Sequence, residues 1–257
     1  MKITFLGTGA ADWDWSNFPA GTRGSTSTLL GASCLVDAGA SILRNLKNAH
    51  VSTARLTDLL ITHGHNDHFH PESIQTIAAA THGRLRIWAS PQVIARLPEG
   101  IAELHAVSIG DTFRAAGCTV TVLPSNHATA DLAEQTLHYL FIGRGVRLLY
   151  ALDGAWFHTK ERLLLKGALG GKALTAVIWD ATCGATYHDW RFAEHNDLKM
   201  VDDLRVSMLR DGLVAPETHH VFDHVARTLW PKTPAAQRRL AERHDGTLAE
   251  DGMVWTV

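Results

Sequence analysis

No part of the chain approaches the ~18 consecutive apolar residues of a membrane-crossing helix, so nothing in it is expected to span a bilayer. The opening Met1-Lys2-Ile3-Thr4-Phe5-Leu6 is too short an apolar run for a signal peptide and turns at once into a glycine loop. Cysteine is scarce. Cys34, Cys118 and Cys183 stand far apart, form no C-x-x-C pair, and read as reduced core residues of a cytosolic protein. Net charge is nearly absent, at −2 with 19% charged residues, which argues against a general nucleic-acid binder but leaves room for a local basic patch. Repeats, low-complexity tracts and an obvious linker are missing too. What remains is 257 residues, 46% of them hydrophobic, enough for one large α/β domain over residues 1–257.

Histidine, by contrast, is plentiful, with 16 in the chain, and the densest cluster lies in Thr57-Asp-Leu-Leu-Ile-Thr-His-Gly-His-Asn-Asp-His-Phe-His70. Leu59, Leu60 and Ile61 read as the end of a buried strand. His63 and His65 follow in a loop with no room for a helix. Side chains at i and i+2 of an extended segment point the same way, so this pair can grip one cation. Asp67 and His68 lie just beyond a bend and can turn to a second. A solvated His-rich loop is the bland alternative, and metal-ligand spacing this selective argues against it.

Residues 2–6 predict a strand ending in Gly7-Thr8-Gly9-Ala10-Ala11. The dinucleotide fingerprint fails there, because Asp12-Trp13-Asp14-Trp15 follows instead of a third glycine and a helix. Trp13 and Trp15 are expected to be either a stacking wall for a substrate or a lid packed on the core. Residues 26–30 and 33–37 read as a hairpin delivering Asp37, which either steadies a metal-ligand loop or caps a helix over 40–49. Helices are expected from Pro71 to about Thr81 and Pro91 to about Leu97. Strands are expected at 85–88, near 104–107, at 112–115 and at 118–123, the last leading to His127. A hairpin of 136–143 and 146–150 leads to Asp153, a candidate carboxylate between two cations. A helix over 160–167 and a strand over 174–179 precede Asp180. Asn196 or Asp197 caps a helix to about Asp211, which fixes His195 at its mouth. A strand over 213–215 and helices over 220–229 and 234–243 complete the reading. Each candidate ligand leaves a strand's C-terminal end, the way a rigid sheet gathers distant residues.

His63-Gly-His65-Asn-Asp67-His68, followed by His127, Asp153 and His219, resembles the metallo-β-lactamase superfamily. Gly7-Thr-Gly-Ala-Ala11 and Val36-Asp37-Ala-Gly39 match its early motifs, so the likeness covers nearly the whole chain. It implies an αββα sandwich of two mixed sheets flanked by helices, with a two-metal site on one edge. No cysteine stands at a motif position, unlike the β-lactamases, and the all-His/Asp set resembles the phosphodiesterase branches. Within these, His195-Asn-Asp197-Leu198, Thr218-His219 and Asp251-Gly252-Met253 are similar to the cyclic phosphodiesterase associated with bacterial phosphonate breakdown. The early cysteines that bind a structural zinc in that family are replaced here by the Trp13 and Trp15 region.

The resemblance implies that His63, His65 and His127 hold one divalent cation. Asp67, His68 and His219 would hold the other, with Asp153 bridging and Asp67 counted among the catalytic residues. Such ligands suit zinc, manganese or iron. Two cations would make hydroxide from a shared water near neutral pH for attack on a small, possibly cyclic, phosphodiester. His195 would be the general acid, its pKa depressed by the helix N-terminus; the rival reading is a solvent-facing histidine. His220 and His224, at i and i+4, could make a second metal site, but are expected on a solvated helix face or in support of the site. An RNA 3′-processing nuclease of ribonuclease Z type, a lactone or thioester hydrolase, and a non-catalytic binding member are the alternatives. No Gly- and Pro-rich arm for clamping tRNA is visible, and oligomeric state is not encoded legibly.

Overall fold

A computed structural model describes every residue except His188. The chain divides into two compact units. One comprises Met1–Ser108, Thr129–Leu137 and Glu250–Val257, the other Ile109–Ala128 and His138–Ala249.

The first unit is built on a seven-stranded mixed sheet. Its strands are β1 (Lys2–Gly7), β2 (Ser27–Leu30), β3 (Cys34–Val36), β4 (Asp58–Leu60), β5 (Arg86–Ala89), β6 (Glu103–Ala106) and β14 (Val254–Thr256), in the order β14-β1-β2-β3-β4-β5-β6. β14, β1, β2 and β3 pair antiparallel, and β3 to β6 run parallel. Parallel strands are covered on both faces, which is why Leu59, Leu60 and Ile61 form an apolar run and not an alternation. Helix α1 (Ile42–Asn48) buries Ile42 and Leu46, and α2 (Pro71–Ala80) buries Ile74, Ile77 and Ala78. Pro71 at its first turn, with His70 accepting from the Ser73 N–H, sets where α2 begins. Leu6, Leu35, Leu59, Ile61, Phe69 and Ile87 belong to the core of this unit.

The second unit carries its own seven-stranded mixed sheet, in the order β13-β12-β11-β10-β9-β8-β7. These strands are β7 (Thr112–Ala115), β8 (Cys118–Pro124), β9 (Leu137–Gly143), β10 (Val146–Ala151), β11 (Ala176–Asp180), β12 (His219–Asp223) and β13 (Thr247–Leu248). β9 and β10 form the expected hairpin, and β10 to β13 run parallel. A short α3 (Pro91–Ile94) belongs to the first unit. Helices α4 (Thr159–Leu169), α5 (Leu198–Arg210) and α6 (Pro234–Glu242) belong to the second. α4 stops where Gly170 turns left-handed at φ 57°. α5 starts where the Asp197 carboxylate accepts from the Met200 N–H, and it buries Leu198, Val201, Leu204 and Met208 on one stripe. Trp179, Phe222, Leu149 and Leu204 share the core of this unit, each such burial contributing about 1.5–3 kcal/mol.

The structure overturns two expected elements. Residues 213–215 are not a strand, and the expected helix over 220–229 is in its first part β12. The His219-His220-Val221-Phe222-Asp223 stretch is β-branched and aromatic at its centre and pairs with β11 over its full length. β13 and β14, of two and three residues, carried no pattern of their own and were missed. Among the described residues no helix is long and apolar enough to cross a membrane.

Candidate metal centre

In the first unit, β3 and β4 lie parallel with Val36 opposite Leu60, so the segments that follow leave in the same direction. Asp37 follows β3 with a left-handed backbone at φ 63°. It does not cap α1, whose N-cap is Ser41. Its buried carboxylate accepts from the Thr62 N–H at 2.8 Å and the Thr62 hydroxyl at 3.0 Å, and its Oδ2 lies 2.9 Å from His68 Nδ1. Thr62 Oγ1 is in turn 3.1 Å from His63 Nδ1. Asp37 and Thr62 thus take up the Nδ1–H of His68 and His63, which leaves Nε2 of each ring with its lone pair outward, the form a metal needs.

His63 and His65 do point the same way: His63 Nε2 lies 3.0 Å from His65 Nδ1, the rings edge to face. Two imidazole nitrogens this close need a proton or a cation between them. Asp67 Oδ2 lies 3.5 Å from His68 Nε2, both side chains buried. The backbone between His63 and His65 is clamped. Gly64 N–H donates to Glu134 Oε1 at 2.6 Å, and Arg96 Nη1 donates to the Gly64 carbonyl at 3.0 Å. A Cβ on Gly64 would lie 2.0 Å from Arg96 Nη1 and 2.8 Å from Glu134 Oε2, so only glycine fits. Glu134 went unnoticed in the sequence, since it lies 70 residues away in an unpatterned loop.

In the second unit the side chains again leave strand ends: His127 after β8, Asp153 after β10, Asp180 as the last residue of β11, His224 after β12. Asp153 and His224 both hold left-handed backbones, φ 51° and 60°. Such strain costs on the order of 1–3 kcal/mol per residue and concentrates at functional positions. Asp153 Oδ1 lies 2.9 Å from His224 Nε2, and Oδ2 lies 3.6 Å from His127 Nε2. One carboxylate therefore faces two imidazoles with different oxygens. Glu194 Oε2, 3.5 Å from His127 Nδ1, stands behind that ring.

Asp180 and Thr182 repeat the device of Asp37 and Thr62. Asp180 Oδ2 is 2.8 Å from His195 Nδ1, and Thr182 Oγ1 is 2.6 Å from His224 Nδ1. The His195 and His224 rings stack at 5.5 Å with 13° between planes. Asp153, Asp180, His195 and His224 present ligand atoms all within 4.8 Å of one another, imidazoles and carboxylates of the kind that suit a divalent cation; Asp180 and His195 Nδ1 are engaged with each other, which leaves Asp153 and His224 as the pair to face one. The turn carrying Asp153 is backed by a buried pair that sequence reasoning missed, His138 Nδ1 to Glu161 Oε1 at 2.7 Å; a Cβ on Gly154 would lie 2.7 Å from His138 Nε2.

Three expectations need correction. His219 pairs with Ala176 at the start of β12, whereas Asp223 pairs with Asp180 at its end. Four residues at ~3.3 Å each put His219 about 13 Å down the strand from that end, and its side chain is exposed. His224, one residue past the strand, occupies the position expected of His219. It is neither on a helix nor solvated. His195 titrates above its ordinary value, not below. Burial pushes it down, but the Asp180 charge and hydrogen bond and the Asp153 charge outweigh burial. The helix it was expected to feel begins three residues later, at Leu198, and Asp197 occupies its N-cap.

Trp13 and Trp15 are half-buried in the loop after β1, and Trp15 Nε1 donates to the Arg23 carbonyl. Neither belongs to the core. The cysteines are all buried. Burial, then the Asp180 charge, pushes the Cys183 thiol far up, so it is not available as a thiolate.

The sequence pattern of the β-lactamase superfamily domain matches residues 33–189. Over 72 residues the chain is 39% identical to zinc phosphodiesterase ELAC protein 1 of Mus musculus, a match spanning 27% of this chain and 18% of that protein. Two solved structures share the fold across the chain. A diphosphatase from the PhnP family superposes with TM-score 0.71 at 16% identity, covering 100% of this chain and 97% of that one. The short form of human tRNase Z superposes with TM-score 0.69 at 18% identity, covering 100% and 99%. With this domain pattern over most of its length, and two mixed seven-stranded sheets flanked by helices, the chain belongs to the metallo-β-lactamase superfamily of metal-dependent hydrolases.

Proposed function

We propose that the protein is a phosphodiesterase acting on a small phosphodiester, cyclic or linear, with two divalent cations, zinc, manganese or iron. His63, His65 and His127 would hold one cation, Asp67, His68 and His224 the other, and Asp153 would serve both, following the superfamily's motif order with His224 as the last ligand. The observation that carries this reading is the Asp153 carboxylate, whose two oxygens turn to different imidazoles, His224 and His127. A carboxylate placed in this way would be able to hold two cations at once.

Bound cations supply charge neutralisation at phosphoryl oxygens and activation of water. The chain's own groups do the rest. Asp180 accepts from His195 Nδ1–H and stabilises the imidazolium, so His195 holds a proton on Nε2 for the leaving oxygen. Thr182 and Asp37 fix the ring orientations of His224 and His68, which keeps the donors in place through the reaction. The local identity to a zinc phosphodiesterase favours a phosphoryl over an acyl substrate.

Metal analysis of the purified protein, run beside a screen of chromogenic phosphodiester, phosphomonoester, lactone and β-lactam substrates, tests the proposal. Two equivalents of metal and selective phosphodiester turnover are expected. Turnover confined to a lactone or β-lactam would defeat it. An RNA-processing role is the second reading, favoured by the local identity to ELAC protein 1. A precursor tRNA in the same screen decides it, because that reading requires salt-sensitive cleavage.

A further inference from the structure

Three residues past Asp153, the backbone of Trp156 sits at φ 29°, a region that large side chains rarely adopt. The ring is 42% exposed, whereas its neighbour Phe157 joins the core at 8%. Strain and exposure both count against this residue as mere packing.

What holds Trp156 there is Asn196, itself fully buried. Its Oδ1 accepts from the Trp156 N–H at 3.3 Å, its Nδ2 donates to the Gly154 carbonyl at 2.9 Å, and its own N–H donates to Asp180 Oδ1 at 3.1 Å. The Asp153 turn, the His195 segment and the end of β11 are thus tied at one amide, with Trp156 suspended from it. Among the described residues, the exposed large aromatics are Trp156, Tyr187, Trp190 and Phe192, all between Asp153 and His195 in sequence. Trp190 and Phe192 lie on the turn whose Arg191 carbonyl accepts from the His195 N–H. Arg191 is committed to Asp189 at 2.7 Å, so this segment offers rings more than free charge.

The geometry points to Trp156 as the floor of a stacking subsite beside His195 that selects phosphodiesters bearing a flat aromatic group such as a nucleobase. A half-exposed ring on a tethered backbone presents a π-face at little further entropy cost, and every base offers a matching face. This specificity rests on the phosphodiesterase reading for its reaction but not for its binding.

The test is calorimetric binding of adenosine 5′-monophosphate and of ribose 5-phosphate to the metal-loaded protein, its Trp156→Ala variant and its Trp156→Phe variant. The unsubstituted protein should prefer the adenylate by about 10-fold or more. That ratio should fall towards one in Trp156→Ala and largely survive in Trp156→Phe. Equal binding of the two phosphates, or a ratio that Trp156→Ala leaves unchanged, overturns the subsite. If the protein turns over no phosphodiester yet prefers the adenylate through Trp156, the reaction assignment falls and the subsite stands.

Discussion

His195 Nδ1 lies 2.8 Å from Oδ2 of Asp180, a carboxylate buried at the C-terminal end of β11. The same oxygen is 3.9 Å from His224 Nδ1, and Thr182 Oγ1 lies within hydrogen-bond distance of both rings. One strand end therefore orients two imidazoles. In His224 the Nε2 faces Asp153; in the proposed reaction the Nε2 of His195 would be offered to the substrate. The first unit solves the same problem with Asp37 and Thr62, which suggests a common requirement: a histidine delivers Nε2 accurately only when Nδ1 is tied down.

From this follows a dependence on the leaving group. His195→Ala should leave the metal content unchanged and lower turnover of an alkyl phosphodiester by about 10²-fold or more. With a p-nitrophenyl ester, whose phenolate departs without a proton, the loss should be much smaller. Metal content and both rates are measured on the same preparation. Equal losses on the two substrates would make His195 a positioning residue for the phosphate and not the acid.

His219 and His224 separate just as cleanly. His224→Ala removes the imidazole 2.9 Å from Asp153 Oδ1, and it should lose a metal equivalent and at least about 10²-fold in rate. His219→Ala, an exposed change at the far end of β12, should keep full metal content and stability within about 0.5 kcal/mol. Plasma emission spectrometry of the two variants decides; a metal-depleted His219→Ala would restore the first assignment.

That exchange shows where the sequence is legible and where it stops. In the stretch from His63 to His68 the spacing brings His63 and His65 side by side as expected, and Asp153 leaves a strand at a glycine as expected. The choice of the last candidate ligand was not legible, because Thr218-His219 and Asp223-His224 are equally plausible until the register of β12 on β11 is known. A strand carrying two histidines at its start also looked like a polar helix face. Asp180 was placed at a strand end but had no role attached, and Thr182 and Glu134 had no signal at all, since a group that acts on another side chain across a fold carries no local pattern. The expectation for His195 erred for the same reason: the nearby helix is visible in sequence, whereas the carboxylate opposing it 15 residues earlier is not.

Gly64→Ala tests the clamp on the first pair of ligands. The new methyl meets Arg96 Nη1 at 2.0 Å, which can swing away because that side chain is 48% exposed, and buried Glu134 Oε2 at 2.8 Å, which cannot. A stability loss of about 1–3 kcal/mol is expected, with weakened metal binding as His63 and His65 are pushed apart. The double variant with Arg96→Ala should recover only part of both. Full recovery of metal affinity in the double variant would locate the whole clash at Arg96 and leave Glu134 without a role.

Away from the ligands, His220 makes the protein sensitive to acid. Burial, then the charges of Arg205 and His219, hold its imidazole down to about 3. Neutrality is also what its contact requires, because Trp179 Nε1 donates to His220 Nδ1 at 3.0 Å and a protonated ring has no lone pair to accept with. In the unfolded chain the same group titrates near ~6.5. A folded value below the unfolded one gives a contribution that is complete above about pH 6.5 and is lost progressively as pH falls towards the folded value. His220→Gln keeps an acceptor for Trp179 and does not titrate. The stability difference between the unsubstituted protein and this variant, from urea unfolding, should therefore shift in favour of the variant by roughly 1–2 kcal/mol between pH 7.5 and pH 5, after allowance for screening. The metal ligands titrate alike in both proteins, so the difference isolates His220. A gap that stays constant across that range would mean the imidazole is already charged in the fold, and the Trp179 contact would have to be abandoned with it.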